Sequence, residues 1–231
     1  MKKRDEELIA VVMGDAEPSP QLRRWLETVE GRRELEAYRS TLTMLETAYG
    51  RVPQPKRVVY YTALRTPVGR LLIAATEAGL VRVAFDQNEA SFVADLQKRM
   101  KADVVKSADR LAGIVAQLDM YFTRKRHTFD VPIDLSLAAP FQRSVLLAAR
   151  EVPAGTVVTY GEIAKRIGRP AASRAVGQAL GHNPVPIVIP CHRIVSSGGR
   201  LGGYIGGLDV KRKLLKIEGA YSGTESSNLR N

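Results

Sequence analysis

The chain of 231 residues has one cysteine, Cys191, and three histidines, His127, His182 and His192. A single thiol excludes an intrachain disulfide, and so few sulfur and imidazole ligands exclude a cysteine-based zinc site. No apolar run approaches the ~18 residues that a membrane-spanning helix needs. The basic start, Met1 to Arg4, is followed by acids and by an apolar run, Leu8 to Met13, that is too short for a secretory signal. The expected location is the cytoplasm, with nucleoid association if the source is bacterial. The glycine cluster at 198–207 lacks the Gly-x-x-x-x-Gly-Lys pattern of a phosphate loop and the Gly-x-Gly-x-x-Gly pattern of a dinucleotide site. Those glycines read as turns, and then as a place where a ligand approaches the backbone.

What the chain has in excess is positive charge, +11 in total, on a composition that is 45% hydrophobic and 26% charged. Such a chain is globular and long enough for a real core. The charge is uneven: residues 1–50 carry 8 basic and 10 acidic groups, residues 51–140 carry 14 and 9, and residues 141–219 carry 12 and 4. The excess peaks on the segment that holds Cys191, which favours a polyanionic partner.

Residues 1–50 read as a helical extension, with Ser19-Pro20 as a helix start and Gly31 and Gly50 as stops. Leu35, Tyr38, Leu42 and Leu45 give one apolar face. Residues 51–57, with two prolines and three basic groups, read as a linker. From Val58 the period changes to strands at 58–62, 71–75 and 80–85, an antiparallel meander with turns at Thr66–Gly69 and Glu77–Gly79. Helices follow at 89–100 and 109–122, and a short extended segment at 129–135. From Pro140 the pattern is helical: Phe141 to Arg150, Thr159 to Gly168 with a Thr159/Glu162 capping box, and Ala171 to Leu180. The last two, joined by a glycine turn, form a helix-turn-helix. Ala171, Arg174 and Gln178 share its outer face, and Ser173 and Gly177 are small enough for close approach to a groove. Given the charge, DNA is the favoured partner.

Cys191 lies in Ile189-Pro190-Cys191-His192-Arg193-Ile194, between a proline-rich run from Asn183 and the glycine cluster. A thiol reacts as its thiolate, which a neighbouring base or a positive environment supplies. His192 is a candidate base. Neighbours in an extended strand point to opposite faces, so a bridging water is expected between them. By local context alone, Cys191 also fits a core strand and Tyr160 an apolar helix face. Asn183 fits a turn, Lys211 a solvated helix face, and Glu218 a surface acid at a helix end.

The run Asn183 to Val195 resembles the active-site signature of the O6-alkylguanine-DNA alkyltransferases (methylated-DNA–protein-cysteine methyltransferases). The resemblance extends through Val158-Thr159-Tyr160, Ser173 to Gly177, Gly203 to Leu208 and Lys211 to Gly219, and covers roughly residues 58–220. It implies an α+β fold: a small antiparallel-sheet, ribonuclease H-like domain at 58–136, then a mainly helical, winged helix-turn-helix-like catalytic domain at 137–220. The helical segment at 1–50 is extra, and residues 221–231 form a tail.

The resemblance also implies direct-reversal repair: irreversible transfer of an alkyl group from O6-alkylguanine, and by extension O4-alkylthymine, to Cys191 after base flipping. In that scheme His192 is a water-mediated base oriented by Glu218, Asn183 holds the active-site turn and Lys211 favours the thiolate. Tyr160 acts on the flipped nucleotide. Arg174 fills the gap left in the minor groove of double-stranded DNA, with Ser173, Ala175 and Gly177 beside it. Tyr204, Ile205, Ile194, Pro186 and Ser197 line the base pocket. Neither cofactor nor metal is required, no membrane is involved, and the protein acts as a monomer. Ile205 departs from the family pattern, which has a smaller residue there. Two other readings stay open at this point: a non-catalytic helix-turn-helix or lesion-binding protein, and a cysteine hydrolase.

Overall fold

The computed structural model describes residues 3–13, 17–49 and 57–220. The expected helix stop at Gly50, residues 51–56 of the expected linker and the tail at 221–231 lie outside the described residues. The chain divides into two compact units, Met1–Lys56 and Arg57–Asn231.

The first unit holds α1 (Lys3–Met13), α2 (Pro20–Leu26) and α3 (Val29–Tyr49). Ser19 caps α2, its hydroxyl accepting from Leu22 N at 3.2 Å, with Pro20 in the first turn where its missing N–H costs nothing. Gly31 is not a stop: Thr28 Oγ1 accepts from Gly31 N at 3.0 Å, which starts α3 and leaves Gly31 in its first turn. Leu8 and Leu22 are buried; Leu45, on the same face of α3 as Leu35, Tyr38 and Leu42, is 51% exposed. With 21 residues against 11 and 7, α3 is longer than either of the helices it packs on.

The second unit opens with β1 (Val58–Thr66), β2 (Gly69–Thr76) and β3 (Gly79–Phe85), the expected meander, with Tyr61 opposite Ala74 and Leu72 opposite Ala84. Helix α4 (Glu89–Met100) then leads to β4 (Asp103–Lys106), which pairs parallel to β1 and completes the order β3-β2-β1-β4. This fourth strand has only two apolar residues and so carries no alternation that the sequence could show. Alternation on the longer strands sends Val59, Tyr61, Leu72 and Ala74 against Phe92 and Leu96 of α4. Leu71, Ile73 and Val83 face the other way, towards Leu118 and Tyr121 of α5 (Ala112–Phe122).

After an extended segment held by Leu80 N to Pro132 O at 2.9 Å come α6 (Pro140–Arg150), β5 (Val158–Thr159) and α7 (Tyr160–Arg166). Then follow α8 (Ser173–Gly181), β6 (Ile194–Val195) and α9 (Leu208–Ile217). Helix α8 starts two residues later than expected, because a turn from Arg169 O to Ala172 N precedes it, so Ala171 is off the helix. One hydrophobic core runs through this unit. It joins Leu71, Ile73 and Val83 of the sheet to Val145, Ile163, Val176, Ile189 and Leu214 of the helical half. Each fully buried aliphatic side chain there contributes about 1.5–3 kcal/mol, and the shared core fixes the sheet against the turn that carries Cys191.

Candidate active site

The turn before Cys191 is held from inside by Asn183, which is buried. Its Nδ2 donates to Ile189 O at 2.9 Å and to Cys191 Sγ at 3.1 Å, while its Oδ1 accepts from Val185 N at 3.0 Å. Ile189 N closes the turn onto Val185 O at 2.9 Å, and Val83 N of β3 donates to Pro184 O at 2.8 Å. Ile187, inside this turn, has φ of +76°. For a β-branched residue that backbone costs on the order of 1–3 kcal/mol, and it persists because the packing and hydrogen bonds around it over-determine it. Cys191 is therefore not in a strand. It begins a 3-10 turn, Cys191–Arg193, whose three side chains are all buried.

Glu218, which ends α9, is the centre of the charge network. Its Oε1 accepts from His192 Nε2, Arg193 Nη2 and the Tyr121 hydroxyl, each at 2.8 Å, and its Oε2 accepts from Arg193 Nε at 2.8 Å. Arg193 Nη1 also donates to Val152 O. Glu218 and Lys211, which in sequence fit a surface acid and a solvated helix face, are both buried. Lys211 Nζ donates to Ile194 O at 2.7 Å and to Gly202 O at 3.3 Å. Two buried side-chain polar atoms have no hydrogen-bond partner among the described residues: His192 Nδ1 and the Tyr204 hydroxyl.

Next to this network, and meeting it at Gly202 and Tyr204, is an open cleft of about 870 Å³, lined among others by Tyr160, Ser173, Arg174, Gly177, Ser197, Tyr204 and Ile205 but not by Cys191 itself. Two short pairings place its walls. Strand β6, directly after the cysteine turn, pairs parallel with β5, directly before Tyr160, with Val158 opposite Ile194 and Thr159 opposite Val195. Thr159 and Glu162 form the expected capping box, so α7 starts at Tyr160. The glycine loop then comes so close that a Cβ on Gly202 would stand 2.5 Å from the Tyr160 hydroxyl. Tyr204 packs between Phe85 of β3, with ring centroids 5.8 Å apart, and His192, at 6.3 Å. Ile205 is 43% exposed at the cleft. Ile194 and Pro186 are buried and are not among the lining residues; Ile194 acts here through its carbonyl. Ala175, half-buried on α8, is not among them either.

Burial sets the resting protonation. It pushes the Cys191 thiol up to about 11, against the pull of the Asn183 hydrogen bond and the Lys211 charge. It lowers Lys211 to about 8, the thiol opposing. The His192 imidazole is held below its usual value by burial, although Glu218 works to raise it. Burial would also raise Glu218, but its His192 and Arg193 partners win and hold it well below the carboxylate range. Tyr160 is raised, by burial first and by Cys191 second. At neutral pH the resting site therefore holds a thiol, a neutral imidazole and a Glu218–Arg193 ion pair. Beside them stands a Lys211 ammonium with carbonyl partners but no carboxylate. Among the described residues no group of His, Cys, Asp and Glu could hold a metal ion.

The structure thus brings Cys191, His192, Asn183, Lys211 and Glu218 into one buried cluster and puts Tyr160, Ser173, Arg174, Gly177 and Ser197 on the cleft. The sequence reading missed Arg193, although it sits in the Pro-Cys-His-Arg run. It also missed Tyr121, which lies 97 residues from Glu218 in a segment with no chemical pattern of its own.

Comparison with known proteins gives a consistent result. The model of the 6-O-methylguanine DNA methyltransferase ribonuclease-like domain matches residues 59–135, and that of the DNA binding domain of the same family matches residues 140–220. A methylated-DNA–protein-cysteine methyltransferase of Methanosarcina mazei is 41% identical over 160 residues, covering 69% of this chain and 97% of the relative. The constitutive enzyme of that name from Bacillus subtilis is 37% identical over 160 residues, covering 69% and 94%. The crystal structure of Mycobacterium tuberculosis O6-methylguanine methyltransferase superposes with a TM-score of 0.60 at 37% identity, covering 72% of this chain and 96% of that one. The Mycobacterium tuberculosis OGT structure in complex with DNA gives 0.61 at 36% identity, covering 69% and 92%.

Proposed function

The chain belongs to the 6-O-methylguanine DNA methyltransferase family, and from that premise we propose how its own residues remove an alkyl group from DNA. It is a methylated-DNA–protein-cysteine methyltransferase: it repairs DNA by moving the alkyl group onto its own cysteine. The observation that carries the residue assignment is the buried cluster in which the chain's one thiol meets Asn183, the His192–Glu218 pair and the Lys211 charge next to an open cleft.

The substrate is O6-alkylguanine in double-stranded DNA, approached from the minor groove. Helix α8 enters the groove, with small Ser173, Ala175 and Gly177 allowing close approach. Arg174 takes the place of the base that swings out, which is necessary because the O6 substituent is inaccessible inside the stack. The flipped guanine occupies the cleft against Tyr204, Ile205 and Ser197.

The thiol proton moves to His192 through a water bound at its otherwise unpartnered Nδ1, a polar and buried place that suits one. The imidazolium is stabilised by Glu218, and the thiolate by the Asn183 amide and the Lys211 ammonium, which gains its missing countercharge. Cys191 Sγ attacks the alkyl carbon. The new S–C bond forms as the C–O6 bond breaks, and its electron pair passes into the purine. Tyr160, protonated at neutral pH because burial raises it, donates a proton to the leaving guanine. The thioether has no good leaving group, so each chain acts once and needs no cofactor.

Residues 58–136 and 137–220 serve as the two halves of the repair module and act as a monomer. Residues 1–50, the linker at 51–57 and the tail at 221–231 are dispensable for transfer. No helix among the described residues is long and apolar enough to cross a membrane, in keeping with work in the cytoplasm or on the nucleoid.

The test is to mix the protein with duplex DNA carrying O6-methylguanine and weigh both. A gain of one methyl mapped to Cys191, and lost in Cys191→Ala, supports the assignment. Intact lesion binding with no mass gain refutes it.

A further inference from the structure

We infer that Tyr121 is a positioning residue of the transfer reaction: through its hydroxyl, the sheet half of the molecule sets how strongly Glu218 holds His192. The inference rests on the role for His192 proposed above and adds to it a residue that the reaction scheme does not use. Tyr121 lies on α5, in the half of the unit that contributes neither the thiol nor the helix-turn-helix. Its side chain is fully buried, and its hydroxyl donates to Glu218 Oε1 at 2.8 Å. The same oxygen accepts from His192 Nε2 at 2.8 Å. The two donors therefore draw on the same lone pairs, with Arg193 Nη2 as the third.

Rigid supports hold each partner. Tyr121 packs edge-on against Phe122, with ring centroids 5.3 Å apart, and tilted against Phe129 at 5.6 Å. Glu218 is fixed by the two-pronged Arg193 contact. A Tyr–carboxylate bond between two side chains with no exposed surface is short of alternatives, because neither group can turn to solvent. The charged and titratable groups acting on this network are Glu218 and Lys211 from α9, Arg193 and Cys191 from the 3-10 turn, Tyr204 from the glycine loop, and Tyr121 itself. Tyr121 alone comes from the sheet half.

Removing the Tyr121 O–H returns electron density to Oε1. The His192 N–H bond to that oxygen then strengthens and the imidazole holds its proton more tightly. At a given acidic pH more of the base is already protonated and unable to take the thiol proton. A phenyl ring of the same shape leaves the aromatic packing in place, so a purely structural role predicts lower stability with no change in the pH response.

The experiment is the single-turnover rate of methyl transfer from an O6-methylguanine duplex as a function of pH, for wild type, Tyr121→Phe, and a chain with 3-fluorotyrosine at position 121. In Tyr121→Phe the acidic inflection should move up by about 0.5–1 pH unit, with transfer up to about tenfold slower below it, while lesion affinity in the Cys191→Ser background stays unchanged. The fluorinated phenol is a stronger donor and should move the inflection down. It also decides the matter if Tyr121→Phe does not fold. Coincident inflections in wild type and the substituted chains overturn the inference while leaving the transfer function intact. No transfer by wild type at any pH would instead overturn the proposed function.

Discussion

Replacing Glu218 with Gln tests the buried network most directly. The carboxylate accepts from His192, Tyr121 and, twice, from Arg193, all at 2.8 Å. Glutamine keeps one acceptor oxygen but turns an NH2 group towards Arg193 and removes the negative charge. The Arg193 side chain, only 5% exposed, is left as a buried cation without a counterion. Breaking one side of such a pair costs about 3–5 kcal/mol. For a folding unit of this size that corresponds to a melting temperature lower by about 6–20 °C.

The double substitution Glu218→Gln with Arg193→Met removes the stranded charge and should recover most of that loss, since a neutral, well-packed replacement of a buried ion pair is often neutral in stability. Alkyl transfer should stay slow in both, because neither restores an anionic partner for the imidazolium. Unfolding is best followed by far-ultraviolet circular dichroism, as the one tryptophan, Trp25, belongs to the first unit. The reasoning fails if Glu218→Gln is within about 1 kcal/mol of wild type, or if the double variant regains transfer along with stability.

Three further outcomes follow from the geometry. Glu218 is depressed below the carboxylate range, so in acid the unfolded chain binds its proton first. Its stabilisation should be present in full at neutral pH, begin to fall below the ordinary glutamate value, ~4.3, and vanish only below the depressed folded-state value, so acid melts of wild type and Glu218→Gln should draw together progressively as pH falls from that point. Lys211→Met should push the Cys191 thiol further above its resting value of about 11, so that the pH profile of iodoacetamide labelling shifts to more alkaline pH; a shift to lower pH would contradict the charge assignment. Gly202→Ala puts a Cβ 2.5 Å from the Tyr160 hydroxyl and should slow transfer from duplex DNA at least about tenfold by displacing that ring, a result checked by single-turnover kinetics and refuted by an unchanged rate.

Much of this protein is legible in its linear sequence, and the reason is locality. The strands β1 to β3 announce themselves by runs of apolar and β-branched residues between turns, and the start of α7 by the Thr159/Glu162 box. The Asn183–Val195 signature is likewise contiguous, so the thiol, its neighbouring imidazole and the strapping amide could be named together. The positive charge around them pointed to a polyanion without any coordinates.

Tertiary structure decided whatever depends on groups far apart in the chain. Strand β4 exists because α4 returns the chain to the edge of β1, not because its own four residues insist on it. The 3-10 turn at Cys191 replaces the expected strand because Asn183, Val83 and β5 all pull on its flanks. Whether Glu218 and Lys211 are surface charges or buried partners cannot be read from a helix period. Burial is a property of what packs against them. Tyr121 and Phe85 join the site only because the sheet half folds onto it, so a hydroxyl and a ring with no local chemical signal become a donor to Glu218 and a support for Tyr204. Sequence determined which atoms could react. Packing determined which are shielded from water, and therefore their protonation states and their partners.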